Sequence, residues 1–311
     1  MGSPANAPRR APLTPLPPHP GAPVVRPHRW KTVRRFVRAR AGLFGLGLLL
    51  CVIAMAIAAP VLAPYDPTKQ EIINRLAPPM WQEGGSSRHV LGTDQLGRDV
   101  LSRIIWGARV SLGIGTLAVA ISTTAGLVLG AIGGYAGGWA DNVIMRAADI
   151  QLAFPFILLA IAALGVLGVT YVNVVIVLAV SGWVIFARIV RSETLSLRER
   201  DYVQAARAIG ASHARIVRQH ILPNLTPTAI VLATLELGRV IILESGLSFL
   251  GLGIPPPATT WGNMLAEGRN YVRDAWWLSS FAGLALMLVV LAINLVGDAL
   301  RDALDPSLKI D

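Results

Sequence analysis

Long apolar runs recur along this 311-residue chain, and they constrain its fold more than any other feature. A helix needs about 20 apolar residues to cross the core of a bilayer, which is the length of these runs. Within that core a helix satisfies its own backbone hydrogen bonds. Charged residues make up only 15% of the chain, too few to cover a soluble protein of this size. The pattern predicts an all-α, polytopic membrane protein.

Polar or basic segments separate six predicted transmembrane helices. The predicted spans are residues 41–63, 110–134, 141–167, 171–187, 226–247 and 276–296. The net charge of +10 could suggest nucleic acid, but the basic residues cluster beside the spans. That distribution follows the positive-inside rule, so we expect both termini in the cytoplasm and no nucleic-acid partner. The N-terminal basic cluster also suits anionic membrane lipid.

Composition divides the chain into five segments. Residues 1–29 are rich in Pro, Ala and Arg without apolar periodicity, which predicts a disordered cytoplasmic tail. Residues 30–63 combine a basic flank with the first span, and residues 64–109 form a mixed-charge external loop. Residues 110–306 make up the core transmembrane domain, including a cytoplasmic loop at 191–223, and residues 307–311 form a C-terminal tail. In the third span Pro155 is predicted to kink the helix.

The most distinctive polar stretch, residues 201–224, lies in the cytoplasmic loop and reads as two short helices. Gly210 can adopt the left-handed conformation that ends a helix, and Ser212 can cap the next one. Pro223 is predicted to stop that second helix because it lacks a backbone N–H. Small residues leave a smooth surface for another protein at Ala205, Ala206, Ala208 and Gly210. Such a surface suits a docking element better than a catalytic one.

This stretch resembles the signature loop of permease subunits in binding-protein-dependent ABC importers. In that family Glu-Ala-Ala is followed after three residues by Gly, and later by Leu-Pro. Here the pattern is Gln204-Ala205-Ala206, Gly210 and Leu222-Pro223, with Gln in place of Glu. The ending His-Ile-Leu-Pro-Asn, which includes His220, is similar to the dipeptide and oligopeptide branch. The resemblance implies that the loop couples to an ATPase through Gln204, Ala205, Ala206, Gly210, Ser212, His213, Leu222 and Pro223.

Two more stretches carry the same resemblance. Residues 89–112 are similar to the sequence that precedes the conserved transmembrane domain of peptide permeases, and residues 236–262 again resemble that branch. Together the matches cover roughly residues 41–306. They imply the six-helix fold of type I ABC importer permeases, in a bacterial inner membrane.

The resemblance implies a transport subunit rather than an enzyme. Its expected partners are a homologous second permease, two ATPase domains or subunits, an extracytoplasmic solute-binding protein and a peptide substrate. ATP and magnesium would lie on the ATPases, since none of the three lysines here stands in a phosphate-binding loop. ATP-driven movement of the loop would give alternating access. We predict no catalytic residue, metal or cofactor site in this chain, and the lone Cys51 excludes a disulfide framework.

Three charged residues interrupt the predicted fifth span: Glu236, Arg239 and Glu244. Charges inside a membrane are costly and often mark a transport pathway. Equally, Glu236 and Arg239 are three residues apart on a helix and can form a structural ion pair. Both interpretations stay open. In the external loop His89, Asp94 and Asp99 fit no metal-ligand spacing, and structural salt bridges are the favoured interpretation.

Other transport classes share part of this pattern. Nickel importers use the same permease branch, so nickel or another small solute is the alternative cargo. An ion-driven secondary transporter should show inverted repeats with broken helices, and it would leave the signature loop unexplained. A membrane enzyme would leave it unexplained as well. Co-purification of an ATPase with the chain would separate these classes.

Overall fold

The computed structural model describes residues 39–304 of the chain. The proline-rich tail at 1–29, most of the basic flank and the tail at 307–311 lie outside this range. Within it the chain forms eleven α-helices, joined by short 3-10 and π-helical turns. In order, they are α1 (Arg40–Ile57), α2 (Ala59–Leu62), α3 (Val100–Ala136), α4 (Gly138–Leu152), α5 (Phe156–Leu167), α6 (Tyr171–Arg198), α7 (Asp201–Ala208), α8 (His213–Ile216), α9 (Leu222–Leu247), α10 (Trp261–Gly268) and α11 (Trp277–Leu304).

Each of the six predicted spans corresponds to helix in the structure. By length and composition α1, α3, α6 and α11 can each cross a membrane. Helices α4 and α5 qualify together as a fifth span, bent by 91° between them. Helix α9 is 26 residues long and carries the three charged residues of the predicted fifth span. The all-α, multi-pass architecture is confirmed for the described residues.

Helix α3 is longer than the sequence predicted. It has 37 residues and begins at Val100, inside the external loop predicted for residues 64–109. The carboxylate of Asp99 caps its first turn by accepting a hydrogen bond from the Ser102 amide, at 2.8 Å. At 1.5 Å per residue α3 is about 55 Å long, well beyond the roughly 30 Å core of a bilayer. At least one end of α3 therefore extends beyond the bilayer core.

The predicted kink at Pro155 is a complete break. Pro155 is the N-cap of α5, where its missing N–H leaves no helical hydrogen bond unmade. Gln151 holds the preceding turn against α6. Its amide nitrogen donates to the Val180 carbonyl at 2.6 Å, and its amide oxygen accepts from the Trp183 indole at 2.6 Å. Contacts with α6 thus stabilise the bend.

Ion pairs join α4 to α6. Arg146 and Asp149 lie three residues apart on α4, a spacing that would allow an ion pair within the helix. In the structure Asp149 instead accepts from Arg188 at 2.5 Å, and Asp141 accepts from both Nε and Nη2 of Arg191. The antiparallel packing of the two helices brings these arginines closer, which local spacing could not show.

A row of glycines lets α3 and α6 approach closely. Gly126, Gly130 and Gly134 recur every fourth residue along one face of α3. An added Cβ at Gly126 would lie 2.3 Å from the Cβ of Phe186, and one at Gly130 would lie 2.5 Å from the Ala187 carbonyl oxygen. Small residues at such spacing allow backbones to touch across a membrane interface.

A buried charge cluster joins α10 to the start of α3 and to the loop before it. Asp94 accepts from Arg98 at 2.6 Å and from Arg103 at 2.5 Å, and both arginines also donate to Glu267 on α10, at 2.7 and 2.8 Å. The Asp94 side chain is fully buried and the two arginines are nearly so. Burial raises the pKa of Glu267, but Arg103 and Arg98 outweigh it, so the net pKa is lowered. Its contribution to stability is complete above the unfolded pKa and is lost as the pH falls through the lowered value.

Side-chain pairing is therefore confirmed for Asp94 and Asp99. Asp94 belongs to the charge cluster, and Asp99 pairs with Nδ1 of His89 at 3.0 Å. Trp277 packs in the same region: it is only 4% exposed, and its indole donates to the Thr93 carbonyl at 3.1 Å.

We predict that Gly130→Leu destabilises the bundle by forcing α3 away from α6. Overpacking a tight contact costs about 1–3 kcal/mol. The measurement is thermal unfolding of the detergent-solubilised protein. Gly47→Leu is the matched control, because Gly47 is a helical glycine with no neighbour within 4 Å of an added Cβ. Equal unfolding temperatures for the two variants would contradict the close α3–α6 contact.

A second prediction concerns Asp94→Ala. The change leaves Arg98 and Arg103 buried with Glu267 as their one remaining carboxylate, and breaking a buried ion pair costs about 3–5 kcal/mol. We expect the external loop to loosen and trypsin to cleave sooner at the exposed Arg75. Glu71→Gln, which removes only the exposed pair with Lys69, should leave cleavage unchanged. If Asp94→Ala resists trypsin as the wild type does, the cluster does not hold the loop.

Candidate functional site

The polar stretch at 201–224, here called the coupling loop, folds much as its local sequence predicts. Gly210 adopts the left-handed conformation with φ of 82°, and the Ser212 hydroxyl accepts from the Arg215 amide at 3.4 Å to begin α8. The loop rests on its own apolar core. Its completely buried members are Val203, Ile216, Ile221 and Leu225, which pack against Ala131 of α3 and Val190 of α6.

The small residues of α7 do not all face outward. Ala206 is only 8% exposed and belongs to the apolar core beneath the loop, whereas Ala205, Ala208 and Gly210 are exposed. In this conformation Ala206 is covered by the chain itself, so added bulk there would disturb the fold of the loop first. The sequence could not separate Ala206 from Ala205, because both are small.

Gln204 ties α7 to the end of α6. Its side-chain nitrogen donates to the Arg198 carbonyl at 3.0 Å and lies 3.5 Å from a carboxylate oxygen of Glu199. A glutamate at this position could not donate to that carbonyl. The departure from the Glu-Ala-Ala pattern therefore has a local structural role in this chain.

Sequence reasoning missed Ile209, which is 86% exposed at the tip of the coupling loop. An apolar residue directly before the left-handed Gly210 was the available signal, since the chain reverses direction there. Three arginines of the same loop are also exposed: Arg207, Arg215 and Arg218. The loop therefore presents an apolar residue together with basic side chains.

The two histidines of the loop have separate aromatic neighbours. Nδ1 of His213 lies 2.9 Å from the hydroxyl of Tyr135 at the end of α3, and the His220 ring packs against Tyr202, with centroids 6.0 Å apart. The first contact fastens the loop to α3, and the second packs two parts of the loop against each other.

The prediction that Pro223 stops the second helix is wrong. Helix α8 continues through a π-helical turn, Val217–Ile221, directly into α9. The Leu222 amide donates to the Val217 carbonyl, five residues back. Pro223 then falls in the first turn of α9, where its missing N–H removes one hydrogen bond without ending the continuous helix.

Glu236 and Arg239 form the ion pair that their spacing allows. Nη1 of Arg239 donates to Oε1 of Glu236 at 2.5 Å. The Glu236 side chain is 8% exposed and that of Arg239 is 43% exposed. Small neighbours make room for the carboxylate: an added Cβ on Gly182 would lie 3.4 Å from Oε1 of Glu236 and 3.0 Å from Ser122. The pair therefore spans from the helix interface to an open face.

Glu244 has a different setting from this pair. It is 1% exposed, and its carboxylate accepts from the Ser248 hydroxyl at 2.8 Å and lies 3.5 Å from that of Ser245. Its partners are neutral hydroxyls, one within α9 and one in the turn that follows it. Among the three charged residues of the predicted fifth span, Arg239 is the exposed one.

Comparison with known proteins identifies the family. A family model described as the binding-protein-dependent transport system inner membrane component matches residues 126–310. This chain belongs to that family. The matched region contains the coupling loop and the Glu236–Arg239 pair, and the N-terminal transmembrane domain of oligopeptide transport permease C matches residues 29–79. The chain is thus a multi-pass inner-membrane transport component.

Several curated relatives align over nearly their whole length. A di/tripeptide transport system permease protein of Pseudomonas aeruginosa is 46% identical over 88% of this chain and 90% of its own. A dipeptide transport system permease protein of Alkalihalophilus pseudofirmus is 43% identical over 89% of both chains. A glutathione transport system permease protein of Pectobacterium atrosepticum is 44% identical over 89% of both. These relatives place the chain among transport subunits rather than enzymes.

Proposed function

We propose that this chain is a permease subunit of an ATP-driven importer of dipeptides or short oligopeptides. The observation that carries the proposal is the coupling loop, which presents the exposed Ile209 on a firmly packed base. Membrane-spanning helices and relatives named for peptide or glutathione transport support the same assignment. The nickel alternative draws no comparable support from those names.

The proposed partners follow from the surfaces of the chain. Two ATPase subunits, carrying ATP and magnesium, would bind the coupling loops of this chain and of a homologous second permease. The exposed arginines of the coupling loop favour an acidic edge on the ATPase groove. The second permease would cover the open face of α9 and complete the translocation pathway. A solute-binding protein would deliver peptide at the outer surface.

Coupling to ATP hydrolysis would run through α9. Helical structure is continuous from α8 through Val217–Ile221 into α9, without an intervening loop. A displacement of the coupling loop would therefore move the helix that carries Glu236 and Arg239. This continuity is how we expect ATPase closure to be converted into alternating access of the pathway.

We predict that the external loop faces outward and the coupling loop faces the cytoplasm, with both termini cytoplasmic. The test is labelling of Val90→Cys and Ser212→Cys in a Cys51→Ser background, on intact cells, with a membrane-impermeant maleimide. Both positions are exposed, so burial cannot protect them. Position 90 should label at once and position 212 only after the membrane is opened. Labelling of position 212 in intact cells would reverse the orientation.

A further prediction is that Ile209→Asp removes the ATPase from the complex. Losing an apolar anchor at the centre of an interface costs about 2 kcal/mol or more, which is roughly thirtyfold in affinity. Co-purification of the ATPase and ATP hydrolysis stimulated by the loaded binding protein are the two measurements. Ile209→Leu should keep both. Because Ala206 is buried in the chain's own core, a bulky residue there would not test the contact.

The matched control is Ile73→Asp, because Ile73 is an equally exposed isoleucine, at 93%, in the external loop. It should retain the ATPase fully. Retention of the ATPase and of its stimulation by Ile209→Asp would show that the loop is a connector, and the proposed coupling would be wrong.

A further inference from the structure

One face of α9 lies open between α6 and α11. Its residues recur at helical spacing: Thr228 and Leu235 are partly buried, and Arg239, Ile242 and Gly246 are exposed. At the end nearer the coupling loop this face joins Glu193 of α6 and Arg301 of α11 around a cavity of about 540 Å³. One and two turns further along, Arg239 and Ile242 are exposed, and an added Cβ at Gly246 would meet nothing within 4 Å. We call this surface the α9 groove.

Arg239 indicates that the α9 groove faces protein or water rather than lipid in the assembled protein. Its guanidinium is 43% exposed, and it lies eight residues before α9 ends at Leu247. That is about 12 Å along the helix axis, which is too far for the side chain to reach the end of the span. Intramembrane arginines face protein or a water-filled cavity rather than lipid, because hydrocarbon cannot solvate the charge.

The guanidinium also has donors left over. Glu236 accepts from Nη1, and the other guanidinium N–H groups have no hydrogen-bond partner among residues 39–304. The planar fork of an arginine matches a carboxylate, which can accept two parallel hydrogen bonds. A carboxylate that enters the groove would therefore meet an oriented and only partly satisfied cation.

We propose that Arg239 binds the carboxylate of the transported peptide as it crosses the α9 groove. The inference rests on the proposed function as a peptide importer. Every free-acid peptide carries a terminal carboxylate whatever its side chains, so one arginine can serve cargoes of different sequence. Glu236 fixes the guanidinium and competes for it. Binding of the peptide carboxylate by Arg239 is then strong enough for the peptide to enter and weak enough for it to leave, as conduction requires.

The test separates binding of substrate from pairing with Glu236. The full complex, with cysteine-free partner subunits and its binding protein, is reconstituted in vesicles with Cys51→Ser/Glu236→Gln/Arg239→Cys, which leaves one cysteine in this chain. Uptake of radiolabelled dialanine is measured before and after reaction with aminoethyl or sulfonatoethyl methanethiosulfonate. The first reagent adds a positive charge at position 239 and the second a negative one.

We expect the unmodified variant to lose roughly tenfold or more of its uptake, the cost of one charge-assisted contact. The cationic adduct should restore most of it, and the anionic adduct should not. Glu236 is already neutral in this background, so restoring an ion pair cannot explain the recovery. Equal uptake with the two adducts would overturn the proposal, as would a variant that transports normally before any reaction.

Two controls test the groove itself. Ile242→Cys lies on the same face and should react with both reagents, with no preference for the cationic adduct in uptake. The native Cys51 on α1 is exposed in the chain but lies within an apolar span, so it should stay unreactive toward both charged reagents. Failure of position 239 to react would also overturn the proposal. A wild-type complex that retains its ATPase but takes up no peptide would overturn the proposed function instead.

Discussion

Close contact between α3 and α6 is the constraint on which the rest of the structure depends. Lipid is as apolar as a leucine side chain, so membrane helices gain little from burying apolar groups and rely on tight packing. The glycine row of α3 supplies that packing. Helix α6 then positions its neighbours. Its residues Trp183 and Val180 hold the turn before the break at Pro155. Its residues Arg188 and Arg191 form ion pairs with α4. Arg198, at the end of α6, donates back to the Gly134 carbonyl at 3.0 Å and so fixes where the coupling loop begins.

The two ends of the bundle are stabilised by different physics. At the end that contains α10, buried charges join segments 164 residues apart. The residues of this cluster are Asp94, Arg98, Arg103 and Glu267. Such a cluster tolerates little change, because removing one member leaves another charge buried without its partner. At the other end the coupling loop rests on an apolar core that leaves its arginines and Ile209 in solvent. One end is closed by contacts within the chain, whereas the other end leaves an apolar side chain and several arginines exposed.

Features set by a few neighbouring residues could be predicted from the sequence, and features set by distant contacts could not. Gly210 and Ser212 behave as expected because turn and cap preferences are local, and Glu236 and Arg239 pair because three residues on a helix bring them together. The partner of Asp149, the burial of Trp277 and the inward direction of Ala206 depend on helices far away in the chain. Pro223 shows both sides: its missing N–H is a local property, but α8 continues through the π-helical turn into α9 despite it.

The position of Pro223 in the first turn of α9 bears on how the coupling loop and the α9 groove are connected. Pro223 and Pro227 both stand in the first two turns of α9, where they remove backbone donors. The preceding turn, Val217–Ile221, is π-helical, a form with poorer packing than an α-helix. Beyond these turns α9 runs without proline to Leu247, with Arg239 about 25 Å from Leu222. The weakest helical hydrogen bonding thus lies between the loop and the rigid part of α9. Under the proposed function, movement of the loop would pivot α9 at these turns, and the resulting displacement would be largest along the groove that contains Arg239.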